Sequence, residues 1–225
     1  MSSRGLRLSL RQHLLYQLAA LLAQEWQAAL GLALHLYAWA TRTTHPGLYE
    51  ILEYDSTLEL HDPQGQRATF HKRQRVRFRQ DHILAFQDYA WGDGDILAEY
   101  RCSPGVAVDR YQEGDRWNIL ISLRETKRKG DITEFLIERT VQDGFTQVEE
   151  WQQAEIRHPT CHLRLAVVFP LERPCRRATL QARSRHHTQV LGADHFQILP
   201  DGRQQVVWET HQARDLEIYT LRWRW

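Results

Sequence analysis

The spacing of apolar positions divides the chain in two. Between residues 9 and 41 there is no proline, and Leu14, Leu18, Leu21, Leu22, Leu30, Ala33, Leu34 and Tyr37 recur at helical spacing. That wide stripe predicts an amphipathic helix or helical hairpin of about 30 residues, roughly 45 Å long. Gly31 offers a bend, and His45-Pro46-Gly47 ends the helical part. From Tyr49 onward the period falls to two, the spacing of a strand with one face buried. The reading is an N-terminal helical element over 1–46 and an antiparallel β domain over 47–225.

The β region breaks into short runs separated by turn signals. Leu52, Tyr54, Leu58 and Leu60 alternate with Glu53, Asp55 and Glu59, and Asp62-Pro63-Gln64-Gly65 reads as a turn. The return run sets Phe70, Val76 and Phe78 on one face and Arg73, Arg75, Arg77 and Arg79 on the other. Pairing His61 with Arg67 puts Asp55 opposite Arg73 and Glu53 opposite Arg75, and leaves Arg77 and Arg79 without acidic partners. A second hairpin is expected between Trp117 and Val141, around Lys127-Arg128-Lys129-Gly130-Asp131. In that register Leu123 faces Phe135 and Ile121 faces Ile137. With no helix between strands after Thr41, the fold class is mainly β. It is an antiparallel β-sandwich or open barrel of about ten to twelve strands.

Composition narrows the functions. The 225 residues are 42% hydrophobic and 25% charged, with net charge +1, so a basic partner site must come from local clustering. Three cysteines without framework spacing fit a reducing, cytoplasmic setting. Residues 1–24 lack acids and carry Arg4, Arg7 and Arg11, but Gln17 interrupts the apolar run, which is read as helix and not as a leader. Glu25 within the stripe argues against a membrane span. Eight tryptophans are read mainly as core packing.

No nucleophile elbow, metalloprotease helix, phosphate loop or dinucleotide fingerprint occurs, so no catalytic residue, cofactor or metal is assigned. His158, Cys161, Cys175 and His186 or His187 match no zinc spacing. Asp88 with Asp93 and Asp95 lacks the calcium-loop pattern. The leading expectation is a non-catalytic protein-interaction module. Its N-terminal stripe of Leu14, Leu18, Leu22, Trp26 and Leu30 would dock a protein partner, a second copy or a membrane surface. A second expectation is a nucleic-acid platform on Arg73, Arg75, Arg77 and Arg79, helped by Lys127, Arg128 and Lys129. A third is a small-molecule or lipid-binding barrel, to be told by a pocket with converging polar groups.

Overall fold

The computed structural model describes residues 47–185 and 187–225. The expected N-terminal helix, with the stripe of Leu14, Leu18, Leu22, Trp26 and Leu30, lies outside the described residues. Among those that are described, fourteen strands form, more than the ten to twelve expected. They are β1 (Tyr49–Leu60), β2 (Arg67–Phe78), β3 (Ile83–Trp91), β4 (Asp95–Ser103), β5 (Val106–Glu113), β6 (Arg116–Lys127) and β7 (Ile132–Gln142). Then follow β8 (Glu149–Glu155), β9 (Leu163–Val168), β10 (Arg177–Ala182), β11 (His187–Val190), β12 (Phe196–Ile198), β13 (Gln204–Thr210) and β14 (Ile218–Arg224).

A seven-stranded sheet has the order β12-β13-β9-β1-β2-β7-β4. Two smaller sheets, β3-β6-β5 and β11-β10-β14-β8, complete the domain. Their apolar faces join in one core. On the three-stranded side, Phe86 of β3 stacks on Phe135 of β7 with centroids 4.0 Å apart. On the four-stranded side, Tyr219 of β14 meets Trp208 of β13 at 5.2 Å. The architecture is therefore sandwich-like, and antiparallel except for β1 with β9, which run parallel.

The β1–β2 hairpin adopts the register expected near its turn, with Asp55 opposite Arg73 and Glu53 opposite Arg75. The turn is tied by the Asp62 carboxylate, which accepts from the N–H groups of Gln64, Gln66 and Arg67 at 2.9, 3.0 and 2.7 Å. Gly65 sits at φ +73° with the Phe145 carbonyl against it; a Cβ there would lie 1.8 Å from that oxygen. Beyond Glu53 a bulge changes the register, so Glu50 pairs with Arg77 and Tyr49 with Phe78. The same bulge puts Ile51, not Leu52, among the buried residues.

The second expected hairpin does not form. β6 pairs with β3 and β5, and β7 pairs with β2 and β4, so the two strands belong to different sheets. The basic turn between them crosses from one layer to the other. Gly130 N–H donates to Phe78 O at 2.8 Å, Phe78 N–H to Asp131 O at 2.9 Å, and Lys129 N–H to the Asp81 carboxylate at 3.0 Å. The β2–β3 and β6–β7 crossings are thus bound to each other. The matched alternation of Ile119, Ile121, Phe135 and Ile137 is real, but it serves burial from two layers instead of side-by-side pairing.

Candidate functional site

In a sandwich, the inward positions of each strand are expected to be apolar. Several here are not. Tyr54, Ser56 and Leu58 follow one another inward on β1. Phe70, Lys72, Gln74 and Val76 do so on β2, and Phe135, Ile137, Arg139 and Val141 on β7. β3 places Asp88 between Phe86 and Ala90, and β8 places Gln152 between Glu150 and Ala154. Register then brings them together. Ser56 lies opposite Lys72, Tyr54 opposite Gln74, Phe70 opposite Arg139, and Arg139 opposite Tyr100 of β4.

Asp88 closes the cluster from the other layer. Its side chain is 2% exposed and that of Lys72 is 11% exposed, and the two form an ion pair. Tyr100 Oη donates to the second carboxylate oxygen at 3.0 Å. Burial alone would lower the Lys72 ammonium, but the facing Asp88 carboxylate outweighs it and holds Lys72 above its ordinary value. Burial raises the Tyr100 and Tyr54 hydroxyls. Arg139 is 7% exposed. Burial lowers it to about 10, with Asp88 opposing, so it stays charged at neutral pH. Its Nη1 donates to Ile96 O at 3.1 Å, and its guanidinium lies 3.9 Å from the Phe70 ring centroid.

Above the cluster, β3 and β8 are edge strands of separate sheets. They meet through side chains. Trp91 Nε1–H donates to Gln153 Oε1 at 3.1 Å, and Gln153 in turn donates to Thr220 at 3.0 Å. Arg116 of β6 and Arg157 both reach Glu155 of β8, and the Arg157 guanidinium lies 4.4 Å from the Tyr89 ring centroid. Beneath this seam are two adjoining chambers of about 40 Å³ each. Both are lined by Tyr54, Lys72, Tyr89 and Trp91. One adds Ser56, Arg139, Glu150 and Gln152; the other adds Asp88, Glu155, Arg157 and His158. Each has room for about three water-sized groups. Gln152 is 2% exposed and donates to Ala166 O at 2.9 Å, while its Oε1 has no partner among the described residues.

The arginine stripe lies on the opposite face of β2, with Arg79 just past the strand's end, and each arginine has an acidic partner. Arg73 pairs with Glu53 and Glu134 at 2.8 and 3.1 Å, and Arg75 with Glu53 at 3.2 Å. Arg77 meets Glu50 at 2.9 Å, and Arg79 meets the same carboxylate. Arg77 and Arg79 therefore do have an acidic partner, because the bulge brings Glu50 into line. Asp55, opposite Arg73 in register, bonds Arg164 of β9 at 2.9 Å. Lys127 pairs with Glu125, and Arg128 and Lys129 sit in the crossing turn beside Asp81 and Asp131. The same outer face carries an open groove of about 520 Å³ lined by Asp55, His71, Arg73, Arg101, Leu136 and Glu138.

Of the other singled-out residues, Asp88 turns to the interior, away from Asp93 and Asp95. Cys161 is exposed and Cys175 is buried. Among the described residues, no three His, Cys, Asp or Glu side chains gather in a way that could hold a metal ion. No described helix is long and apolar enough to cross a membrane. Sequence reasoning missed Lys72, Arg139, Tyr100 and Gln152. The signal available was a polar residue interrupting an apolar inward row.

No protein-family model matches the chain, and neither does any curated protein. Among solved structures it is similar to an M1 zinc metallopeptidase from Deinococcus radiodurans, with 11% identity and a TM-score of 0.43 over 77% of this chain and 42% of that one. A mutant of that enzyme bound to a Tyr-Ser-Ala substrate gives 10% identity and a TM-score of 0.46, covering 78% of this chain and 42% of that one. A putative protease from Parabacteroides distasonis gives 8% identity and a TM-score of 0.44, covering 80% and 41%. The chain spans less than half the length of these structures. Likenesses this distant carry no argument about activity.

Proposed function

We propose that residues 47–225 form a non-catalytic binding module whose ligand enters the seam between β3 and β8. The observation that carries this reading is the convergence of Lys72, Arg139, Asp88, Tyr54 and Gln152 on chambers walled by aromatic rings. The protonation states of Lys72 and Tyr100 favour recognition over proton transfer by these two groups. A general acid or base works best with a value near the working pH. Lys72 and Tyr100 are instead both held above their ordinary values, so they keep their protons at neutrality.

The test is a fragment screen on the full chain, read by the indole N–H resonances of the tryptophans in an NMR spectrum. Binding at the seam should move the Trp91 signal, since that group bonds Gln153 across the seam. Shifts confined to other tryptophans, or no saturable shift with any fragment, would contradict the assignment.

A second reading is protein docking on the outer face of the seven-stranded sheet. The open groove there favours it, with acidic, basic and apolar side chains interleaved on rigid strands. An extended polypeptide of mixed charge is the matching partner. Its binding should weaken with salt, and filling the seam chamber should leave it unchanged.

A further inference from the structure

We propose that the seam chamber lined by Ser56, Arg139 and Gln152 takes a small carboxylate carrying a neighbouring hydroxyl, held by the in-plane donors of Arg139. The proposal rests on the seam being a ligand site and names the chemical class it accepts.

Charge is the first argument. Lys72 and Arg139 are both inside, and Asp88 is the carboxylate whose field both feel. Lys72 and Tyr100 already occupy its two oxygens. Among the described residues no acidic side chain lies within ion-pair distance of Arg139. The carboxylates on this chamber's own lining are Asp93, which is exposed, and Glu150, which accepts from Gln147 N–H at 2.6 Å and has Asp93 and Arg173 as its charged neighbours. Arg139 is therefore a buried cation with no carboxylate paired to it among the described residues, and a buried charge without a counter-charge is costly.

Shape is the second argument. The Arg139 guanidinium carbon lies 3.9 Å over the Phe70 ring centroid, and a single N–H bond goes to Ile96 O among the described residues. A guanidinium carries five in-plane N–H donors, so one bond leaves an edge for a partner. A carboxylate matches that edge with two parallel hydrogen bonds. The chamber's 40 Å³ limits the ligand to a few non-hydrogen atoms.

The third argument is Gln152. Its amide nitrogen is committed to Ala166 O, which leaves the buried oxygen of this lining residue an acceptor without a partner among the described residues. A buried acceptor calls for a donor. A hydroxyl on the carbon beside the carboxylate supplies one.

The experiment titrates the full chain at pH 7 with sodium acetate, sodium glycolate, sodium phosphate and ethylene glycol. Sodium chloride at matched ionic strength is the reference, and thermal unfolding and calorimetry are the readouts. Glycolate and acetate should give saturable stabilisation that chloride does not, with glycolate binding at least threefold tighter. Arg139→Lys should weaken both by at least tenfold, because the ammonium lacks the planar fork. Gln152→Met should erase the advantage of glycolate and leave acetate unchanged. Gln152→Met also keeps the test decisive if Arg139→Lys fails to fold.

Acetate and glycolate curves identical to chloride would overturn the proposal. Phosphate binding as tightly as acetate would overturn the carboxylate class in favour of a general anion site. Saturable binding of ethylene glycol without binding of either acid would overturn the proposal while leaving the seam a ligand site. Failure of every probe, with Trp91 unmoved by any fragment, would remove both.

Discussion

The two faces of β2 carry the same kind of residue to opposite ends. Outward, Arg73, Arg75, Arg77 and Arg79 form the most conspicuous charge pattern in the chain, and each has a carboxylate beside it. Their side chains are 36–47% exposed, so water already screens them. Inward, Lys72 stands alone between Phe70 and Gln74 and is easily overlooked. Yet it pairs with a carboxylate that is 2% exposed, close to a second buried cation. The contrast teaches that charge density along a sequence is a poor guide to chemistry. What matters is whether the strand sends the charge into the core, where each unmatched group costs several kcal/mol.

The sharpest break of that comparison is Asp88→Leu. It strands Lys72 and removes the carboxylate whose field acts on Arg139. Equilibrium urea unfolding should show a loss of about 3–5 kcal/mol. A loss under about 1 kcal/mol would mean that the inner cluster is as solvated as the outer stripe.

Next in size is a test of the layers themselves. A double-mutant cycle with Phe86→Leu and Phe135→Leu should give a coupling of about 0.5–1.5 kcal/mol, since the rings stack across the sandwich. Coupling instead between Leu123 and Phe135, with none at Phe86, would restore the hairpin pairing of β6 with β7.

Acid adds a more gradual effect. His158 lies under the seam with its ring 4.1 Å from Tyr49. Burial, helped by Arg157, holds it below its ordinary value, against Asp215. A histidine lowered on folding stabilises above its unfolded value of about 6.5 and loses that contribution as pH falls through it. His158→Phe, which keeps a ring against Tyr49, should therefore flatten the stability profile between about pH 7 and 5. An unchanged slope would show that His158 protonates freely in the folded state.

The smallest effects belong to the outer stripe. Arg75→Ala should cost about 0.2–1 kcal/mol and fade in high salt. Glu50→Gln should exceed it, because that carboxylate serves both Arg77 and Arg79 and is only 13% exposed. Unfolding midpoints at low and high ionic strength would rank the two, and the reverse order would contradict the bulge-shifted register.

Strand existence was legible from alternation, and the β1–β2 register from a turn of Asp62 to Gly65 whose flanking charges agree. The bulge beyond Glu53 was not, because nothing in Ile51-Leu52-Glu53 marks which residue drops out of the ladder. The pairing of β6 with β7 was misread for a deeper reason. Alternation shows that a face is buried, not which layer buries it, and Phe135 is satisfied equally by a neighbouring strand or by Phe86 opposite. The site was half legible. Arg139 between Ile137 and Val141, and Asp88 between Phe86 and Ala90, break their apolar rows in plain view. Their meeting depends on two chain crossings and on the seam of β3 with β8, which no local pattern encodes.

The central claim is that the buried charges serve binding and not stability. It is tested most directly by replacing the whole cluster at once, with Lys72→Met, Asp88→Leu, Arg139→Met and Tyr100→Phe in one chain. The account predicts an unfolding free energy within about 1 kcal/mol of the parent, or higher, because apolar groups replace a costly ion cluster. It predicts with this the complete loss of glycolate binding. A fold weakened as much as by Asp88→Leu alone, or glycolate binding that survives the replacement, would contradict it.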